Sequence, residues 1–305
     1  MQLKKTMLLI VVAQLAALFA PFAAHADCNR LRLANDRLLI QNGTSTVAVS
    51  DSEGIEMPRW SPRGDQIIYV RRFNYERAAY STLVVIDNAG RMIRSFPIPA
   101  DSAVNAIVQL GWRDDDHVFV EGHVNPSTTQ YLEWEVATGR LITQKAGSWF
   151  AVSPDGRFVA QRAHVPHGAP PPYDSAMLVI NDEVVYPVAG DEAYRRFIGA
   201  PSWSPDSTQV ALLEGGDESA ILVLFAPDTK RVLRFPLAGV AVPRELSWSG
   251  TNTLLIRTSR GDVWQADRAG GRLSVAPASA PAASAYRLQP QAASTPVLEE
   301  RCSPD

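Results

Sequence analysis

Two stretches of this 305-residue chain gather side chains suited to gripping another molecule. Arg71-Arg72-Phe73-Asn74-Tyr75 sets guanidinium forks beside aromatic rings, the residue types that dominate protein-binding hot spots. His164-Val165-Pro166-His167 runs on through Gly168-Ala169-Pro170-Pro171-Pro172-Tyr173, joining two imidazoles and a phenol in a segment stiffened by prolines. A stiff lip suits recognition because it loses little entropy on binding. His164 and His167 lack the third and fourth ligands that a metal site needs, so neither a metal nor another cofactor is expected. His117, Glu121 and His123 alternate along one strand, the pattern of a solvated face. Asp114-Asp115-Asp116 reads as turn chemistry, without the spacing of a calcium loop. The sequence contains no Gly-x-Ser-x-Gly elbow, glycine-rich phosphate loop or paired-acid motif.

Composition narrows the partners. With 29 Lys+Arg against 32 Asp+Glu the chain is weakly acidic, with no basic excess to hold a phosphate backbone, so nucleic acid is not expected. Hydrophobic residues at 46% and charged residues at 20% describe a globular protein. Lys4 and Lys5 precede an apolar run from Met7 to Ala20, and Ala24-His25-Ala26 offers the small residues of a cleavage site. That run is shorter than the roughly 20 residues that span a bilayer. Residues 1–26 therefore read as a signal peptide cleaved after Ala26, leaving a periplasmic or secreted protein with no stable membrane insertion. In an oxidising compartment, Cys28 and Cys302 at the two ends of the mature chain are expected to form a disulfide if the termini meet.

The elements that must carry these loops are repeats. Turn-forming centres begin at Trp60-Ser61-Pro62, Trp112-Arg113-Asp114, Val152-Ser153-Pro154, Trp203-Ser204-Pro205 and Trp248-Ser249-Gly250, at spacings of 52, 40, 51 and 45 residues. Proline and Asp, Asn or Gly fit a tight turn, and an apolar strand-like run follows each one, such as Ile67–Val70 and Val210–Leu213. A second run, a second turn and a closing strand complete each unit. Four antiparallel strands at this period make an all-β fold, a β-propeller of four-stranded blades, with the tryptophans filling the gaps between blades.

The Trp-Ser-Pro-Asp-Gly centres resemble the repeats of the TolB-type, WD40-like propeller family over roughly Glu53 to Val275. The likeness departs from that pattern where Val152 replaces Trp and where the second and fifth centres lack Pro. Six blades are favoured over five, the sixth built from Leu31–Val49 together with a strand from the tail, around Tyr286–Leu288 or Val297–Leu298. Residues 27–305 then form a single propeller domain, with residues 276–284, rich in Ala, Pro and Ser, as a connector. TolB-type proteins of the Tol-Pal system carry an N-terminal α/β domain, and only about 25 residues separate the expected cleavage site from the first clear repeat here, so that role is not expected.

Antiparallel connectivity puts all the Trp-Ser-Pro turns on one face. The longer loops, including residues 71–80 and 164–174, lie on the other, and long loops on a rigid scaffold are the usual place for binding. The signal-like N-terminus, the missing catalytic motifs and the docking role that the resemblance implies together lead to the expectation of an exported docking module, a scaffold or an inhibitor or immunity protein, that is not an enzyme and whose partner is another envelope protein. The alternative is a propeller enzyme of the lactonase, cyclase or dehydrogenase type with a site in the central channel, where Arg59 and Glu245 are the obvious charges.

Overall fold

The computed structural model describes residues 28–34, 37–42, 44–71, 81–99, 101–124, 128–164, 176–186, 197–215, 220–240, 243–269, 272–278 and 299–302. Twenty-three strands run through them in order: β1 Cys28–Ala34, β2 Arg37–Asn42, β3 Ser45–Ser50, β4 Ile55–Trp60, β5 Gln66–Arg71, β6 Thr82–Asp87, β7 Met92–Pro97, β8 Ala106–Trp112, β9 His117–Val124, β10 Thr128–Glu135, β11 Leu141–Val152 and β12 Val159–His164. They continue with β13 Ala176–Ile180, β14 Glu183–Tyr186, β15 Phe197–Trp203, β16 Val210–Gly215, β17 Ala220–Ala226, β18 Arg231–Pro236, β19 Pro243–Gly250, β20 Thr253–Thr258, β21 Val263–Ala269, β22 Arg272–Pro277 and β23 Glu299–Cys302.

These strands form the four-stranded antiparallel units of a β-propeller. Blade 2 is β4-β5-β6-β7, blade 5 is β15-β16-β17-β18 and blade 6 is β19-β20-β21-β22. Blade 1 has the order β23-β1-β2-β3, so the chain's last strand takes the innermost place beside its first. The closing strand lies just past the tail candidates Tyr286–Leu288 and Val297–Leu298, which fall outside the described residues. β23 also adds Glu299, Glu300 and Arg301 to the innermost strands, beyond the Arg59 and Glu245 expected there.

Blades 3 and 4 share a strand. A seven-stranded sheet runs β8 to β14 because β11 is continuous: residues 141–147 pair with β10 as the outer strand of blade 3, and residues 148–152 pair with β12 as the inner strand of blade 4. The passage is a bend with a register shift between Ser148 and Ala151 and a left-handed φ of +57° at Trp149, a conformation that costs a bulky residue.

The burial pattern explains why these residues make these elements. Middle strands such as β5 and β6 bury Ile67, Ile68, Tyr69 and Val70 and Leu83–Ile86 on both faces, while outer strands such as β3 and β22 alternate with exposed positions. Pro58 and Pro201 sit on innermost strands, where one edge needs no ladder partner. Buried apolar clusters fill each successive seam from blade 1 to blade 6.

The tryptophans fasten those seams. Trp112 Nε1 donates to the Arg59 carbonyl at 3.1 Å, Trp203 Nε1 to Ala151 at 2.8 Å and Trp248 Nε1 to Ser202 at 2.9 Å, each reaching the innermost strand of the preceding blade. Val152 cannot make that bond. The seam between blades 3 and 4 is filled instead by a stack of Phe119, Tyr131 and Phe150, with centroids 5.3 and 5.1 Å apart.

Candidate functional site

In blades 2 to 6 the second strand runs away from the turn at its repeat centre, so the ends of β5, β9, β12, β16 and β20 all emerge on the opposite face. Both sequence-predicted binding segments spring from there. Arg71 is the last residue of β5 and His164 the last of β12. Arg72, Phe73, Tyr75, His167 and Tyr173 lie outside the described residues.

Arg71 is held from below. Its Nε donates to Asp51 Oδ2 at 2.8 Å, and the Tyr69 hydroxyl donates to the same oxygen at 3.0 Å. Burial opposes the Asp51 charge, yet the Glu53 amide and the Arg71 and Tyr69 donors hold the carboxyl below its ordinary range. Burial, then the adjacent Asp51 carboxylate, pushes the Tyr69 phenol well above its usual value, so it remains a donor. The aspartate thus orients the guanidinium that opens the loop, joining the β3–β4 connection to the end of β5.

Two more buried acids lie toward this face. Glu214 on β16 accepts the Tyr186 hydroxyl of blade 4 at 2.5 Å and Arg234 Nη2 at 3.0 Å. Glu121 on β9 is 3% exposed, which overturns the solvated face expected for His117, Glu121 and His123. The strand is covered on both sides: Val118 and Val120 pack toward blade 2, and Phe119 and Glu121 toward blade 4. Glu121 Oε1 accepts from Thr129 Oγ1 at 2.7 Å and from the Trp149 amide at 3.1 Å, and Oε2 accepts from the Phe150 amide at 3.3 Å. Beside that bend the Arg162 guanidinium stacks 4.3 Å over the Trp149 ring. No sequence signal marked this cluster, because the acid, the bend and the arginine come from three separate strands.

The other face is a web of turn contacts. Asp114 Oδ1 accepts the Asp116 amide at 2.9 Å, the turn chemistry expected of the acidic run, and Asp115 holds Arg63 of blade 2 through its amide at 2.8 Å and its Nε at 3.0 Å. Arg113 spans the next seam, with Nε on the Gly156 carbonyl at 2.8 Å and Nη1 on the buried Glu133 at 2.9 Å. Among the described residues, no group of three or more His, Cys, Asp or Glu is placed to hold a metal ion, and no helix is long and apolar enough to cross a membrane. The segment read as a signal peptide lies outside the described residues. The register sets Cys28 opposite Cys302 on β1 and β23, but the two cysteines are not at disulfide distance and the expected bond is not shown.

No family model matches the sequence, and no curated protein matches it. Solved structures do match its fold. The propeller domain of the trilobed protease of Pyrococcus furiosus aligns with a TM-score of 0.52 and 14% identity over 82% of this chain and 79% of its own. A eukaryotic initiation factor aligns at 0.51 with 14% identity over 78% of this chain, which spans 59% of that protein. TolB from Acinetobacter baumannii aligns at 0.41 with 16% identity, over 86% of this chain and 66% of its own. Identities this low speak to the fold alone: the chain is a β-propeller, with proteases and non-enzymes among its structural neighbours.

Proposed function

We propose that the protein is an exported binding module, acting without catalysis in the cell envelope, whose long-loop face docks another envelope protein. The observation that carries this reading is the Asp51–Tyr69–Arg71 cluster. It fixes a guanidinium at the mouth of a loop whose next residues are Arg72, Phe73 and Tyr75. An arginine already oriented by a carboxylate loses less freedom when a partner's acid or carbonyl meets it, which is how preorganisation raises affinity. The second candidate segment begins at His164, the last residue of β12, and β12 ends on the same face as β5, two blades away.

The test is capture of the mature chain, Asp27 to Asp305, from native envelope extract beside a variant with Arg71, Arg72, Phe73 and Tyr75 all changed to Ala. A stoichiometric partner kept by the wild type and lost by the folded variant supports the reading. Equal retention by both removes the face from the account, and retention by neither turns attention to a small ligand in the central channel.

A further inference from the structure

Three glutamates with nearly complete burial point into the seams, and two are neutralised: Arg113 pairs with Glu133 at 2.9 Å and Arg234 with Glu214 at 3.0 Å. Glu121 is the exception. Among the described residues no cation pairs with it, and its three partners, the Thr129 hydroxyl and the Trp149 and Phe150 amides, are all neutral. A buried carboxylate without a counter-charge is costly, and the usual escape is to take up a proton.

Counting protons on the hydrogen bonds leads to the same state. Thr129 Oγ1 has one proton and two acceptors, Glu121 Oε1 at 2.7 Å and the Gly147 carbonyl at 3.0 Å. If Glu121 is protonated, its hydroxyl donates to Thr129, which then donates to Gly147, and both contacts are satisfied. If Glu121 is ionised, one of the two oxygen pairs meets without a proton. Burial, the dominant influence on this carboxyl, pushes its pKa upward against the pull of the three donors.

What Glu121 holds is a mechanical junction. Between blades 1 and 2 the chain passes by the turn at residues 51–54, but here one strand serves two blades. Glu121 grips the two amides within the bend, while Thr128 and Thr129 hold the Gly147 carbonyl just before it. This is also the seam where Val152 leaves out the tryptophan fastener. From these placements we infer that Glu121 is a proton-binding staple: protonated, it locks the bend of β11 between blades 3 and 4, and loss of its proton to solvent loosens that bend and the Trp149–Arg162 stack beside it.

The other ionisable groups on the packed elements have their own places. His117 contacts Asp114, Tyr131 donates to Glu133, Glu133 pairs with Arg113, Lys145 pairs with Asp182, and Arg162 lies on Trp149. His123, opposite Thr129 in the register, shares the face of Glu121 and is the group to control for.

The experiment is NMR on the mature protein with carbon-13 glutamate, together with amide exchange at Trp149 and Phe150 across pH. The staple requires the Glu121 carboxyl to titrate above the ordinary value of about 4.3. It also requires protection of the two amides, corrected for intrinsic exchange, to fall by up to about tenfold per pH unit between that ordinary value of about 4.3 and the raised midpoint, and to level off above it, the slope of one coupled proton. Glu121→Gln mimics the protonated form and should abolish the fall, whereas His123→Gln should leave it. A midpoint at or below the ordinary value overturns the inference, as does an unchanged exchange profile in Glu121→Gln. If that variant does not fold, the carboxyl titration of the wild type decides alone.

Discussion

The indole nitrogen of Trp203 reaches 2.8 Å to the carbonyl of Ala151, tying the start of one blade's turn to the innermost strand of the blade before it. The same ring stacks on Phe158 with centroids 5.5 Å apart. Two contributions are therefore separable. Trp203→Phe keeps most of the apolar contact and strands the Ala151 carbonyl, which should cost about 1 to 2 kcal/mol, while Trp203→Ala adds a cavity and should cost about 3 to 5 kcal/mol. Urea unfolding midpoints of the three proteins check both figures, and a Trp203→Phe midpoint equal to that of the wild type would show that the hydrogen bond contributes nothing.

How much of this was legible in the sequence follows from the kind of signal each part leaves. The Trp-Ser-Pro centres repeat, and each carries its own turn chemistry, so blades and faces could be read locally. The Asn181-Asp182 turn into β14 is a pair of left-handed residues, φ +46° and +72°, and such a pair is a hairpin signal in principle. β23 is harder, because Glu299-Glu300-Arg301-Cys302 has no apolar alternation and becomes a strand only by pairing with β1. Glu121 was misread because alternating polarity identifies a solvated strand only when one face is free. In the middle of a propeller blade both faces meet neighbours, which no spacing within β9 discloses.

Glycines at the seams give the sharpest steric tests. A Cβ on Gly122 would come within 2.3 Å of Val104 Cγ1, and one on Gly156 within 2.3 Å of the Arg113 carbonyl, where φ is also +73°. The Val104 side chain can shift, whereas the backbone of Arg113 cannot easily do so. Gly156→Ala should therefore destabilise more than Gly122→Ala, by about 2 kcal/mol or more for the strained site and about 1 to 3 kcal/mol for the overpacked one. Thermal unfolding of both variants tests the order.

Acid should weaken the protein through its turns. Asp87, Asp155 and Asp206 each accept amide and side-chain bonds within a turn, and despite the opposing effect of burial these bonds hold all three carboxyls below their ordinary range, as they do for Asp51. A lowered folded pKa means that the unfolded chain binds protons first. The stabilisation is present above the unfolded value of about 3.9 and is lost as pH falls through the folded values. Stability measured by denaturant should drop steadily below about pH 4. Asp206→Asn, which keeps the side-chain oxygen but not the charge, should flatten part of that slope, and an unchanged slope would remove this turn from the account.

Ring closure yields the last test. β23 has four residues, and its pairing with β1 unites the two ends of the chain, so the blade it completes depends on a short ladder. The register sets Cys28 opposite Cys302, though the two are not at disulfide distance. We expect the protein matured in an oxidising compartment to have no titratable thiol and a mass lower by two hydrogens than the reduced form. Reduction, or Cys302→Ser, should then lower the unfolding midpoint. Closure of so long a loop contributes at most about 5 kcal/mol by chain entropy, with native strain subtracting from it. Two free thiols in the oxidised, folded protein would instead leave the hydrogen bonds of β23 to close the ring alone, and Cys302→Ser would then leave the midpoint where it was.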